Sequence, residues 1–284
     1  MAGVLARRKR PLLAIPLQIS RFRALCENAG SRAGVSLIQG ASRGLGLEFV
    51  RQLLERNSKD FVVATCRNPV KAENLAALKE QYPDRLQVLG LDVTDEDTIK
   101  EAANQVSKFH GPLELLVNTA GILHVENLVT PETSLSKLEK DALLLTFQIN
   151  AAGPALVMKH MSPLLKSGGS REVPVIANLS ARVGSIGDNK LGGWLSYRAS
   201  KTALNQLTKT ISIELARRRD PVACVLLHPG TVDTDLSKPY QRNVAKEKLF
   251  TKEFSVSKLL AIIDRVGMKD TGKFFAWDGQ EIAW

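Results

Sequence analysis

From residue 34 onward, short apolar runs alternate with longer stretches whose apolar residues recur at helical spacing. The run "GVSLIQG" (34–40) ends in glycine and precedes "LGLEFVRQLLER" (45–56), which is spaced as an amphipathic helix. "FVVATC" (61–66), "LQVLGLDVT" (86–94), "LELLVNTAG" (113–121), "VPVIANLS" (173–180) and "VACVLLHPG" (222–230) read as further strands. Residues 137–165 read as one long helix, with Gly153 and Pro154 placed to bend it, and residues 197–218 as another. The last stretch, "GKFFAWDGQEIAW", predicts a strand followed by a turn at Asp278 and Gly279. Strands that are apolar throughout, separated by helices, predict a parallel sheet covered on both faces. No interior linker or repeat interrupts this order, so residues 34–284 are expected to form one domain. The segment "SKPYQRNVAKEKLFTKEF" is either a mobile lid or a surface excursion.

The first strand runs into "GASRGLG", and a helix follows it. Gly40, Gly44 and Gly46 allow a tight turn and a close backbone approach to a pyrophosphate, whose charge a helix N-terminus stabilises. The spacing is G-x-x-x-G-x-G, which is weak alone but informative between a strand and a helix. This makes the expected fold an α/β, doubly wound Rossmann-type domain. The second strand ends in Cys66 and Arg67, where an NAD site usually offers an acid. Arg67 from one side and Arg43 from the other suit a ribose 2′-phosphate, so the expected cofactor is NADP(H). The alternative is two solvated surface arginines.

Composition narrows the picture. Four histidines without an HExxH, and three scattered cysteines, predict no metal site and a reducing compartment. No apolar run approaches the roughly 18 residues of a bilayer-spanning helix. The net charge of +10 is uneven: residues 1–33 carry seven Lys/Arg and a single acid, Glu27. Charge gathered in one leader, not spread over the domain, argues against nucleic acid as a partner. An Arg-rich, acid-poor leader fits a transit peptide, mitochondrial before plastid because serines are few. A plain basic tail is the alternative.

"SYRASK" holds Tyr197 and Lys201 four residues apart, on one helix face. A phenol ordinarily titrates at about 10. A neighbouring ammonium favours the phenolate and lowers that value, which suits proton exchange with a carbonyl oxygen. Alone the pair is a common helix-surface motif. Here it follows a glycine loop, "DVT" and "NTAG", and precedes "HPGTVDT", in that order.

The ordered set resembles the short-chain dehydrogenase/reductase superfamily over about residues 34–284, and the C-terminal stretch looks like its small carbonyl reductases of the sniffer and C-factor kind. The resemblance implies an enzyme that reduces a small carbonyl compound with NADPH. It implies that Gly40, Ser42, Arg43, Gly44, Leu45 and Gly46 form the pyrophosphate loop, with Gln39 in a slot often held by threonine. It places Asp92 and Val93 at the adenine, and Asn118, Ala120 and Gly121 beside the cofactor, with Thr119 in place of a second asparagine. Pro229, Gly230, Val232 and Thr234 match the segment at the nicotinamide. Asn150 matches the holder of a proton-relay water, and Tyr197 and Lys201 match the catalytic pair, Lys201 also binding the nicotinamide ribose. The family's substrate-oxygen serine falls on Ala181 in "NLSARVG". A one-residue shift at a strand end turns a side chain to the other face. Ser180 is taken as the replacement; Ser185, or no serine at all, are the alternatives. Ala181 also keeps open a non-catalytic NADP(H)-binding protein that senses the cofactor or recruits a partner. His228, Trp277, Trp284, Met158 and Met161 read as structural, and Trp194 as either a substrate border or a packing anchor. The helices at 137–165 and 197–218 offer faces for a homodimer without requiring one.

Overall fold

The structure, a computed structural model, describes residues 34–167 and 170–284. The leader (1–33) therefore lies outside the described residues. Seven parallel strands form one sheet in the order β3-β2-β1-β4-β5-β6-β9: β1 (Val35–Gln39), β2 (Phe61–Cys66), β3 (Leu86–Gly90), β4 (Leu115–Asn118), β5 (Val175–Leu179), β6 (Ala223–His228) and β9 (Lys273–Ala276). The helices are α1 (Gly44–Arg56), α2 (Glu73–Gln81), α3 (Glu96–Phe109), α4 (Lys140–Phe147), α5 (Gly153–Met161), α6 (Leu195–Ala216) and α7 (Lys252–Arg265).

Strands β1, β2, β4 and β5 are buried along their whole length because alternate residues serve two cores. Ile38, Val62, Ala64, Val117, Ala177 and Val225 pack with Phe49 and Leu53 of α1 and Leu259 and Ile263 of α7. Leu37, Val63, Leu116, Ile176 and Cys224 pack on the other face with Ile99 of α3, Met158 of α5 and Leu215 of α6. The strand order reverses between β1 and β4, and ligands of such folds bind in the crevice beyond the strand ends at that point.

The long helix expected over 137–165 is interrupted. A π-turn, Gln148–Ala152, separates α4 from α5, and the Gly153 N–H donates to the Gln148 carbonyl five residues back. Pro154 explains the interruption, since it lacks the N–H that an α-helix would aim at the Asn150 carbonyl. The whole run Lys140–Leu164 is, contrary to expectation, long and apolar enough to cross a bilayer by length and composition. Its inner face holds the fully buried Asn150 and packs against α3 and α6, as a core helix does.

The expected excursion after residue 235 is largely ordered. Short 3-10 turns at Lys238–Asn243 and Lys246–Lys248 lead to β8 (Leu249–Phe250), which pairs in parallel with β7 (Thr231–Val232). Helix α7 follows, started by the Thr251 hydroxyl, which accepts from the Phe254 N–H. The last turn is as expected: Gly279 has φ +85°, and Phe275 bridges Glu281 antiparallel.

Candidate active site

The glycine loop closes against β4 through two side chains. The Thr119 hydroxyl donates to the Gln39 carbonyl at 2.7 Å, and the Ala120 N–H donates to Gln39 Oε1 at 3.2 Å. The two residues that depart from the family pattern thus brace each other across the switch point. Gly40 has φ +86°, and a Cβ on Gly46 would lie 2.3 Å from the Gly40 carbonyl oxygen, so no side chain fits there. Helix α1 begins at Gly44 with no side-chain cap and no acid in its first turn. Its N–H groups are left to an anion, so the residues fit a pyrophosphate.

Around this cradle the expected cofactor residues fall at five places. Arg67 is exposed past β2, and among the described residues it forms no ion pair. Arg43 is exposed as well and meets Asp235 at 3.4 Å. Asp92 turns its carboxylate to the Thr94 N–H and hydroxyl. Val93 is buried and packs against Gly153, so its side chain belongs to the core. Asn118 also turns inward, donating to Asn178 Oδ1 at 2.7 Å between β4 and β5. Across the cleft, the Ser255 hydroxyl holds the Pro229 carbonyl, Gly230 lies against the Phe250 ring, Val232 is buried, and Thr234 comes opposite Gly44.

The catalytic candidates converge. A Cβ built on Gly121 would lie 3.3 Å from Asn150 Oδ1 and 3.5 Å from Lys201 Nζ. Asn150 is fixed from three directions: Oδ1 accepts from the Ile122 N–H at 2.7 Å, and Nδ2 donates to the Ile122 carbonyl and to Ser200 Oγ. Lys201 Nζ donates to the Leu179 carbonyl at 2.9 Å and lies 5.9 Å from the centre of the Tyr197 ring. Burial pushes Lys201 down to about 8 and pushes the Tyr197 phenol above its ordinary range. The expected lowering of the phenol by the ammonium is therefore outweighed by desolvation of both groups.

Ser180 is buried, and its hydroxyl donates to Asn205 Oδ1 at 2.6 Å. Asn205 lies two helical turns beyond Tyr197 on the same face of α6. The Ser180 hydroxyl proton is thus engaged by Asn205. Ser185 is also buried and accepts from the Asp188 N–H.

Aromatic rings border the cleft. Trp194 meets Tyr197 edge-on at 6.2 Å and Tyr240 at 5.1 Å, and Tyr240 meets His124 at 6.0 Å. Trp194 therefore borders the cleft, and it does so in a left-handed conformation (φ 52°, ψ 44°), a strain of roughly 1–3 kcal/mol typical of functional sites. Tyr240, Asn205 and Glu132 were not singled out by sequence, because their partners come from distant segments. Burial, helped by nearby Arg182, pushes His228 down to about 4. Trp277 packs with Phe250 and Phe254, and Trp284 stacks on Phe274.

Comparisons with known proteins agree with this geometry. The NADPH-bound carbonyl reductase from chicken fatty liver superposes with a TM-score of 0.77 at 33% identity, over 89% of this chain and 100% of that one. The carbonyl reductase Sniffer of D. melanogaster gives 0.75 at 29% identity, over 88% and 99%. A 1-hydroxy-2-glutathionyl-2-methyl-3-butene dehydrogenase of Rhodococcus sp. is 29% identical over 87% of this chain and 98% of its own length. The family model described as short chain dehydrogenase matches residues 34–245. With its parallel seven-stranded sheet and the Tyr197/Lys201 pair at the switch point, the chain belongs to the short-chain dehydrogenase family and is an oxidoreductase resembling the carbonyl reductases.

Proposed function

We propose that the chain is an NADPH-dependent reductase of a small aldehyde, ketone or quinone. The convergence of Tyr197, Lys201 and Asn150 around Gly121, next to an uncapped helix N-terminus, carries this reading. The NADPH-bound carbonyl reductase neighbour supports the cofactor choice. When bound, NADPH supplies a hydride to the carbonyl carbon. The glycine loop and α1 hold the pyrophosphate, while Arg43 and Arg67 hold the 2′-phosphate. The Arg43–Asp235 pair is exposed on both sides, so it is weak and yields readily to a phosphate.

Tyr197 gives its phenolic proton to the substrate oxygen. Its burial keeps that proton in place at neutral pH until the oxygen becomes basic. Lys201 orients the nicotinamide ribose and stabilises the phenolate as it forms. Asn150 holds Ile122, and so fixes the segment after Gly121. Trp194, Tyr240 and His124 give the substrate an aromatic border.

The commitment of Ser180 to Asn205, with Ala181 in the usual serine slot, favours a second reading: a protein that binds NADP(H) without turning it over. NADPH oxidation measured against aldehydes, ketones and quinones separates the two. Turnover that disappears in Tyr197→Phe supports the reductase, whereas binding without turnover on every compound supports the sensor.

We also propose that residues 1–33 direct the protein to an organelle matrix, mitochondrial before plastid, on their Arg-rich, acid-poor composition. A fluorescent protein fused after residue 33 should enter the organelle, and a diffuse cytosolic signal would refute the assignment.

A further inference from the structure

The loop between β4 and α4 meets the catalytic helix at one buried carboxylate. Glu132 is 3% exposed, and among the described residues no cation pairs with it. Its carboxylate accepts from the Ser196 N–H at 3.2 Å and from the Ser196 hydroxyl, and its backbone carbonyl accepts from the Trp194 N–H. Ser196 precedes Tyr197 directly. Trp194 stands at the N-cap of α6 and contributes no side-chain cap, and the first turn of α6 contains no acid.

These contacts supply, from another segment, what a capping residue usually supplies from within the helix. A buried carboxylate is costly unless its acceptor positions are used. Here both oxygens are used on the first turn of α6, where the helix dipole favours negative charge. The same loop is bolted at its other end, where Asn150 holds Ile122 by both its N–H and its carbonyl. Because Asn150 also donates to Ser200 Oγ of α6, substrate wall and catalytic helix are joined at two points, directly through Glu132 and by way of Asn150. Packing alone would ask for an apolar side chain at position 132, which would leave the Ser196 N–H and hydroxyl without these acceptors.

We propose that Glu132 is the positioning residue of Tyr197: it caps α6 from the substrate loop and fixes the first turn from which the phenol reaches the substrate oxygen. This rests on the reading of Tyr197 as proton donor. Glu132 acts through Ser196 and does not touch the reacting atoms. Glutamine can replace it, because its amide oxygen accepts from the Ser196 N–H while its amide N–H donates to Ser196 Oγ. Alanine can do neither.

The test compares Glu132→Ala and Glu132→Gln with the unaltered protein by steady-state kinetics, NADPH affinity and amide hydrogen exchange. Glu132→Ala should lower kcat by about tenfold or more, the scale of a misplaced catalytic group. NADPH affinity should hold within about threefold while amide exchange quickens at residues 194–197 alone, and Glu132→Gln should restore both kcat and protection. Unchanged kcat in Glu132→Ala would overturn the proposal. So would exchange that quickens throughout the domain without rescue by glutamine, which marks a general stability role. Should Tyr197→Phe keep full turnover, the proton-donor reading itself fails, and the exchange at 194–197 still reports whether Glu132 caps the helix.

Discussion

Tyr197 and Lys201 leave water together, and that fact governs their chemistry. A phenol denied solvent holds its proton more firmly, and an ammonium denied solvent releases its proton more readily. The proposed reduction needs the phenol protonated and the lysine charged. Since Lys201 is pushed down to about 8, kcat for carbonyl reduction should stay level between about pH 6 and 7.5 and fall above about 8. A pH–rate profile flat up to 10 would show that the Lys201 charge is not needed. Stability moves the other way. The unfolded chain binds the Lys201 proton more tightly, so this group's contribution to stability rises as pH climbs from about 8 toward its ordinary 10.5. Ser180 gives a second residue-scale prediction. Its hydroxyl serves Asn205, so Ser180→Ala should leave kcat within about threefold, while an unsatisfied Asn205 oxygen costs about 1–3 kcal/mol in denaturant unfolding. A large loss of kcat at unchanged stability would return Ser180 to the reacting atoms.

Elements were legible where one periodicity ruled. β2 runs from Phe61 to Cys66 as its apolar run predicts, and α6 starts two residues before the expected Tyr197. The π-turn at Gln148–Ala152 was not legible, because hydrogen-bond register leaves no mark on an apolar pattern; only Pro154 hints at it. Helix α7 was overlooked although Val256, Leu259, Leu260 and Ile263 recur at helical spacing behind a Thr251 cap. The reading of residues 237–254 as a lid or excursion ran across its start and hid that signal. Among the site residues, Tyr197 and Lys201 share one face of α6, and Asn150 reaches the same place from the π-turn. Ser180 sits past the end of β5, where a shift of one residue changes face, and Glu132 is one of three acids in a loop, with Glu126 and Glu139. Periodicity carries no information about either. The seam between α5 and the β3–α3 loop allows a further prediction. A Cβ on Gly153 would lie 2.6 Å from Val93 Cβ and 3.1 Å from its carbonyl oxygen. Gly153→Ala should therefore destabilise the domain by about 1–3 kcal/mol, read by denaturant unfolding. A neutral result would mean that the seam opens freely.

Across the whole molecule, the sheet gathers the glycine loop, the segment after β4, the first turn of α6 and the segment after β6 at one crevice. The strand-order reversal between β1 and β4 marks that crevice. The place of each part at the crevice was legible from its motif, but its closure was not. Gln39 to Ala120, Thr119 to Gln39 and Arg43 to Asp235 all join residues at least 80 positions apart. Cofactor preference belongs to this scale. Arg43→Ala and Arg67→Ala should each weaken NADPH binding by about tenfold or more and leave NADH binding within about twofold, in keeping with loss of a charge-assisted phosphate contact. Equal losses for both cofactors would contradict the 2′-phosphate assignment. The central claim is that Tyr197 protonates the substrate oxygen. It is tested most directly by carbonyl-dependent NADPH oxidation in Tyr197→Phe, with NADPH affinity measured on the same protein. The account predicts a fall in kcat of about 10²–10⁴-fold with NADPH affinity unchanged. Full turnover in that variant would contradict it.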